Sequence, residues 1–237
     1  MISLTADQMR DVDELAIGEY GLKLEQMMEL AGFNLALLAR QMLGGSLEGK
    51  GIAILAGKGN NGGGGLVSAR DLSNWGATAT ILIPSRTGLK QAVSERLETL
   101  EVMGLEIFAY GEGFHTRQIL SEVDLIVDSM MGYSLRGAPR HPISDMILLA
   151  NESGIPILSL DLPSGLDATT GKAHEPCVVA ERTLTLALPK KDLLVEGARR
   201  YVGSLFLADI GIPPSLYANL GLEVGNIFSG SHLVKIF

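Results

Sequence analysis

The chain has 237 residues, 46% of them hydrophobic, one cysteine and a formal net charge of −8. That length supports one sizeable core in a single α/β domain spanning 1–237, and the acidic balance, with no dense Lys/Arg block, excludes a nucleic-acid groove or an anionic membrane surface as partner. Cys177 alone makes neither an internal disulfide nor a metal cluster, which points to a cytoplasmic protein. The opening "MISLTADQMRDVDELA" carries acids where a signal peptide needs a basic region, and no run reaches the roughly 18 apolar residues of a membrane span.

Thr5 and Gln8 have capping-box spacing, and Met9, Val12, Leu15 and Ala16 recur at helical intervals, so the chain opens with a helix ending near Gly21. From Leu24 to Met42 the pattern is apolar around most of a helix, as suits one wedged between a sheet and another surface such as a second subunit. Within it, Met27 and Met28 read as core packing rather than cofactor contacts. Short β-branched or apolar runs follow at 51–57, 77–83, 105–109, 123–128, 155–161, 182–188 and 204–210. Helix-compatible segments at 64–75, 89–103 and 142–153 separate the early ones. Alternating strands and helices, with strands apolar on both faces, predict a mostly parallel sheet covered on both sides. The tail after Gly211 reads as surface turn and edge structure.

In such a sheet, ligands bind beyond the carboxyl ends of the strands. Three turns lie there: "GKGNNGGGG" after the first strand, "DSMMGYSLRG" after 123–128 and "DLPSGLD" after 155–161. Gly57, Gly59 and Gly62 have the GxGxxG spacing of a dinucleotide site, but a dehydrogenase also needs an acid at the end of the next strand. Pro84, Ser85 and Arg86 stand there instead. No Gly-Lys-Ser/Thr follows the cluster, so a Walker loop is excluded too. Glycine is costly to order, and its density here predicts that something approaches the backbone closely. Asp128 and Asp161 each end a predicted strand, and Ser164 follows the rigid Pro163. With Asn61 they offer an amide oxygen, carboxylates and a hydroxyl, which suit a hard cation rather than zinc. Asp128 and Ser164 are also ordinary helix-capping residues.

The stretches "GKGNNGGGGLVSAR", "VDSMMGYSLRG" and "DLPSGLDATTG" resemble the motifs of the YjeF N-terminal domain family, the NAD(P)HX epimerases. The family's usual forms are GxGNNGGDGLVxAR, VDAxFGTGLxR and DIPSGxDxxxG. Further landmarks agree in order, among them "MMELAG", "ERTLTLALPKKDLL" and "FLADIGIP". The resemblance implies a Rossmann-like three-layer αβα sandwich with a mostly parallel central sheet. It also implies a homodimer that interconverts the R and S epimers of hydrated NADH and NADPH, and a separate dehydratase acting on the product. By the same resemblance Asn61, Asp128 and Ser164 bind a potassium ion. Asn60, Asn61, Gly62, Gly63 and Gly64 line the substrate, and Gly132, Tyr133, Ser134, Leu135, Arg136, Gly137 and Ala138 hold its phosphates. Asp161 contacts the reacting ring as acid/base. The chain departs from the family at Gly64, where an Asp is usual, and at Met131, Tyr133, Ser134 and Asp192. Those departures leave a second reading, a non-catalytic relative that binds a nucleotide-like ligand or a protein. His115, His141, His174 and His232 read as surface histidines, and Cys177 has no neighbouring base that would make it a nucleophile.

Overall fold

The computed structural model describes residues 2–111, 116–133 and 137–237. The capping box forms as its spacing predicts: Thr5 Oγ1 accepts from the Gln8 amide and the Gln8 side chain accepts from the Thr5 amide. It starts α1 (Ala6–Gly18), and α2 follows at Leu24–Met42.

From there strands and helices alternate: β1 (Gly51–Ala56), α3 (Asn60–Asn74), β2 (Thr78–Ile83), α4 (Gln91–Val102), β3 (Glu106–Ala109), α5 (Thr116–Ser121), β4 (Leu125–Ser129), α6 (Ile143–Glu152) and β5 (Ile157–Leu160). After β5 come β6 (Arg182–Leu186), two short 3-10 turns, α7 (Arg199–Val202), β7 (Ser204–Ala208), α8 (Pro214–Asn219) and β8 (Leu233–Lys235). One eight-stranded sheet results, in the order β3-β2-β1-β4-β5-β6-β7-β8. Its pairs are parallel except β7 with β8.

The pleat divides β1 between two cores, as a period of two requires. Ile52, Ile54 and Ala56 face a cluster with Leu35 of α2, Leu66 of α3 and Val93 of α4. Ala53 and Leu55 face the other side, against Leu120 of α5 and Met146 of α6. This is the three-layer αβα sandwich expected. A third cluster ties Met9 and Val12 of α1 to Met27 of α2 and to Leu216 and Tyr217 of α8. The tail after Gly211 therefore contributes buried side chains as well as the edge strand β8. No helix among the described residues is long and apolar enough to cross a membrane.

Two differences from the expected boundaries shape the site. The third helix begins at Asn60 rather than 64, so the glycine cluster is helical. The fifth strand ends at Leu160, which leaves Asp161 as the first residue beyond it.

Candidate active site

Strand order reverses between β1 and β4, and a cleft opens beyond their carboxyl ends, where such switch points place ligands. Its volume is about 360 Å3, and its lining includes Asn60, Asn61, Gly64, Gly132, Tyr133 and Asp161. Met27 and Met28 are buried, as core packing requires, yet both also line this cleft.

The floor is the N-terminus of α3, capped by Gly59 without a side-chain hydrogen bond. Amide groups there are free to meet an anion. The glycines that follow exist because protein atoms crowd them. A Cβ on Gly62 would lie 1.9 Å from the Gly57 carbonyl oxygen, one on Gly63 2.1 Å from Met28 Cε, and one on Gly65 1.9 Å from Ser129 Oγ. Gly62 and Gly63 thus pack the helix against β1 and α2 and do not line the cleft. Gly64 does line it, and a Cβ there would come 2.8 Å from Leu160 Cδ2, the movable end of a side chain.

Asp128 lies beneath the cleft, fully buried. Its Oδ1 accepts from Ser164 Oγ at 2.6 Å and the Met130 amide at 3.2 Å, and its Oδ2 from the Ser164 amide at 2.8 Å and Ser159 Oγ at 2.9 Å. Burial pushes its pKa up, against those four hydrogen bonds, and among the described residues no cationic side chain acts on it. Asn61 stands apart: its Nδ2 donates to the Leu160 carbonyl at 3.2 Å, and its side chain packs over Gly132. The structure therefore joins Asp128 directly to Ser164 but not to Asn61.

Asp161 is 3% exposed and has a left-handed backbone, φ 67°, which Asp tolerates better than most residues. Its Oδ1 accepts a short hydrogen bond from Lys190 Nζ, itself buried. Beside this pair, the Tyr133 hydroxyl donates to Asp13 of α1 at 2.6 Å. Burial raises the Asp13 pKa, the Tyr133 hydrogen bond opposes it, and burial likewise raises the Tyr133 hydroxyl. Lys190, Asp13 and Lys90, which donates to Asn60 Oδ1 at 3.2 Å, are the site residues that sequence reasoning missed. A lysine closing the strand-end stretch "LTLALPK" was the one available signal.

Gly137 and Ala138 are exposed and do not line the cleft, while Ser134, Leu135, Arg136 and His115 lie outside the described residues. His141, His174 and His232 are away from it, each beside an aspartate, and His174 is half-buried rather than on the surface. Cys177 is buried and its thiol pushed up to about 12.

The model of the "YjeF-related protein N-terminus" family matches residues 24–192. The chain belongs to that family. It is 39% identical to the NAD(P)H-hydrate epimerase of Dehalogenimonas lykanthroporepellens, over 98% of this chain and 92% of that protein. It is 30% identical to the NAD(P)H-hydrate epimerase of Puccinia graminis f. sp. tritici, over 100% of this chain and 94% of that one. The bifunctional NAD(P)H-hydrate repair enzyme Nnr of Moorella thermoacetica is 36% identical, and there the match spans only 42% of the relative. A crystal structure of the yeast protein ynu0 superposes with a TM-score of 0.86 at 24% identity, covering both chains completely. That likeness shows that the two chains share a fold.

Proposed function

We propose that this chain is an NAD(P)H-hydrate epimerase, interconverting the R and S epimers of hydrated NADH and NADPH. The observation that carries the reading is Asp161: a buried carboxylate, held at the carboxyl end of β5, lines the cleft shared by the α3 amide terminus and the Tyr133 turn. Relatives of nearly equal length bearing that name support it.

The hydroxyl to be inverted sits on a ring carbon next to nitrogen. Asp161 in its protonated form gives the proton carried on Oδ2 to that hydroxyl, the C–O bond breaks as water departs, and the nitrogen lone pair forms the C=N bond of an iminium, leaving the carboxylate. Water then adds to the opposite face and returns a proton to the carboxylate. Positioned acid–base catalysis of this kind contributes about 100- to 10,000-fold. The α3 terminus and Lys90 favour the phosphates at the other end of the substrate.

The donor set fits a monovalent cation. Among the described residues, Asp128 is a buried carboxylate with no cationic side chain acting on it, and Asn61 keeps its Oδ1 unengaged while Nδ2 is bonded. Asn61, Asp128 and Ser164 would hold potassium, which offsets buried negative charge and stiffens the turns around the cleft. A homodimer, a reducing cytoplasmic setting suited to the unpaired Cys177, and a separate dehydratase consuming one epimer complete the proposal. The dehydratase partner draws support from the longer bifunctional relative.

The test is epimer interconversion. One epimer of hydrated NADPH, mixed with purified protein and potassium, should approach the equilibrium mixture much faster than without enzyme. Acceleration that disappears in Asp161→Asn supports the reading; no acceleration by folded protein that still binds the nucleotide would favour the non-catalytic relative.

A further inference from the structure

Lys190 is a charged residue with 1% of its surface exposed, at the base of the cleft but absent from its lining. An ammonium has three donors. All three are directed at protein acceptors: Asp161 Oδ1, the Leu186 carbonyl at 3.2 Å and Thr185 Oγ1 at 3.4 Å. None remains for a ligand. The backbone around it is fixed as well, since the Leu4 amide donates to the Pro189 carbonyl at 2.9 Å and the Lys191 amide to the Leu4 carbonyl at 2.8 Å.

We infer that Lys190 is a positioning residue of the epimerase: it pins Oδ1 of Asp161 so that Oδ2 alone serves the substrate. The inference rests on the proposed function. Within the described residues Oδ2 has no hydrogen-bond partner, so the two oxygens are already divided between Lys190 and the cleft. The left-handed backbone at Asp161 places its carboxylate over the end of β6, where Thr185 and Leu186 complete the ammonium's shell. Lys190 also faces the Tyr133 ring at 6.0 Å, and it acts electrostatically on Asp13, so the two carboxylates Asp13 and Asp161 share this buried cation. Removing the ammonium leaves Asp161 free to turn, and the loss falls on the chemical step rather than on nucleotide binding.

The experiment measures epimerisation of hydrated NADPH by wild type, Lys190→Met and Lys190→Gln. Methionine keeps most of the length of the side chain without a donor; glutamine keeps an amide NH2 with two donors but no charge. Lys190→Met should lower kcat roughly 10- to 100-fold, a part of what acid–base catalysis contributes, with KM within about twofold of wild type. Lys190→Gln should recover a fraction of that kcat. A Lys190→Met enzyme with unchanged kcat, or one whose loss appears only in KM, overturns the positioning role and leaves the epimerase reading standing. A wild type that does not epimerise overturns the function and this inference together. If both variants unfold, the wild-type protein decides: the 15N resonance of the Lys190 ammonium should move when the hydrated nucleotide binds, because Asp161 is shared between them. A resonance that stays in place as substrate saturates the protein overturns the inference.

Discussion

At Asp161 a carboxylate is asked to do two things, hold a left-handed backbone and present one oxygen to a cleft. Asparagine also tolerates that backbone, so Asp161→Asn removes the acid/base group while keeping the turn. Epimerisation should fall by about 100- to 10,000-fold, with the folded structure retained by circular dichroism. Asp13 allows a pH test. Its pKa is raised, chiefly by burial, so between the unfolded carboxylate value and the higher folded one the native state binds the extra proton. Stability contributed by that group is therefore lost as pH rises through this window. Asp13→Asn keeps an acceptor for the Tyr133 hydroxyl and removes the titration. The melting temperature of the variant relative to wild type should increase as pH rises from about 4 and then level off; a difference independent of pH would contradict the assignment. Cys177, buried and with its thiol pushed up to about 12, should stay unreactive toward a disulfide reagent at pH 8 until denaturant is added.

Helix α3 shows how much of an element its sequence reveals. Four successive glycines read as a turn because glycine is a poor helix former. The structure makes them helical because the neighbours leave no room for side chains: Gly57 faces Gly62, Met28 faces Gly63, and Ser129 faces Gly65. The density of glycine did foretell a close approach, but what approaches is mostly the protein's own backbone and packing. In an open helix, Gly→Ala stabilises by about 0.5–1 kcal/mol. Here Gly62→Ala meets backbone at 1.9 Å and should instead destabilise, by at least the roughly 1–3 kcal/mol of an overpacked core. Gly63→Ala meets the end of the Met28 side chain, which can swing aside, so it should cost less. Urea denaturation of the two variants checks the order. The short elements α8 and β8 were illegible for a different reason: six and three residues give too little periodicity to read.

Across the whole molecule, the alternation of strands and helices was legible because a buried parallel sheet needs apolar runs at regular spacing. The placement of Asp161 beside the end of β5 followed from it, while Asn61, read as part of a turn, lies in the first turn of α3. Asp13, Lys90 and Lys190 did not, because they meet the site through distant contacts: Asp13 and Tyr133 are 120 positions apart, and Lys190 and Asp161 are 29. Pairing at such separations leaves no local pattern. Residues 4–18 clasp the site twice, through Leu4 at Pro189 and Lys191 and through Asp13 at Tyr133. Removing residues 2–18 should leave the parallel sheet intact, lower the melting temperature by uncovering Met27, Leu216 and Tyr217, and abolish epimerisation. Unchanged activity in the shortened protein would show that the clasp is dispensable.

That clasp also sets an order of events during synthesis. Its first residues leave the ribosome early, but Pro189, Lys191 and the α8 residues under α1 emerge about 185 positions later. At a translation rate of roughly 5–20 residues per second, α1 waits on the order of ten to forty seconds for its docking surface. The sheet strands from β1 to β5 can pair in that interval, so the cleft is roofed last. Until then Met9 and Val12 have Met27 of α2 beside them but lack the α8 part of their cover, Leu216 and Tyr217.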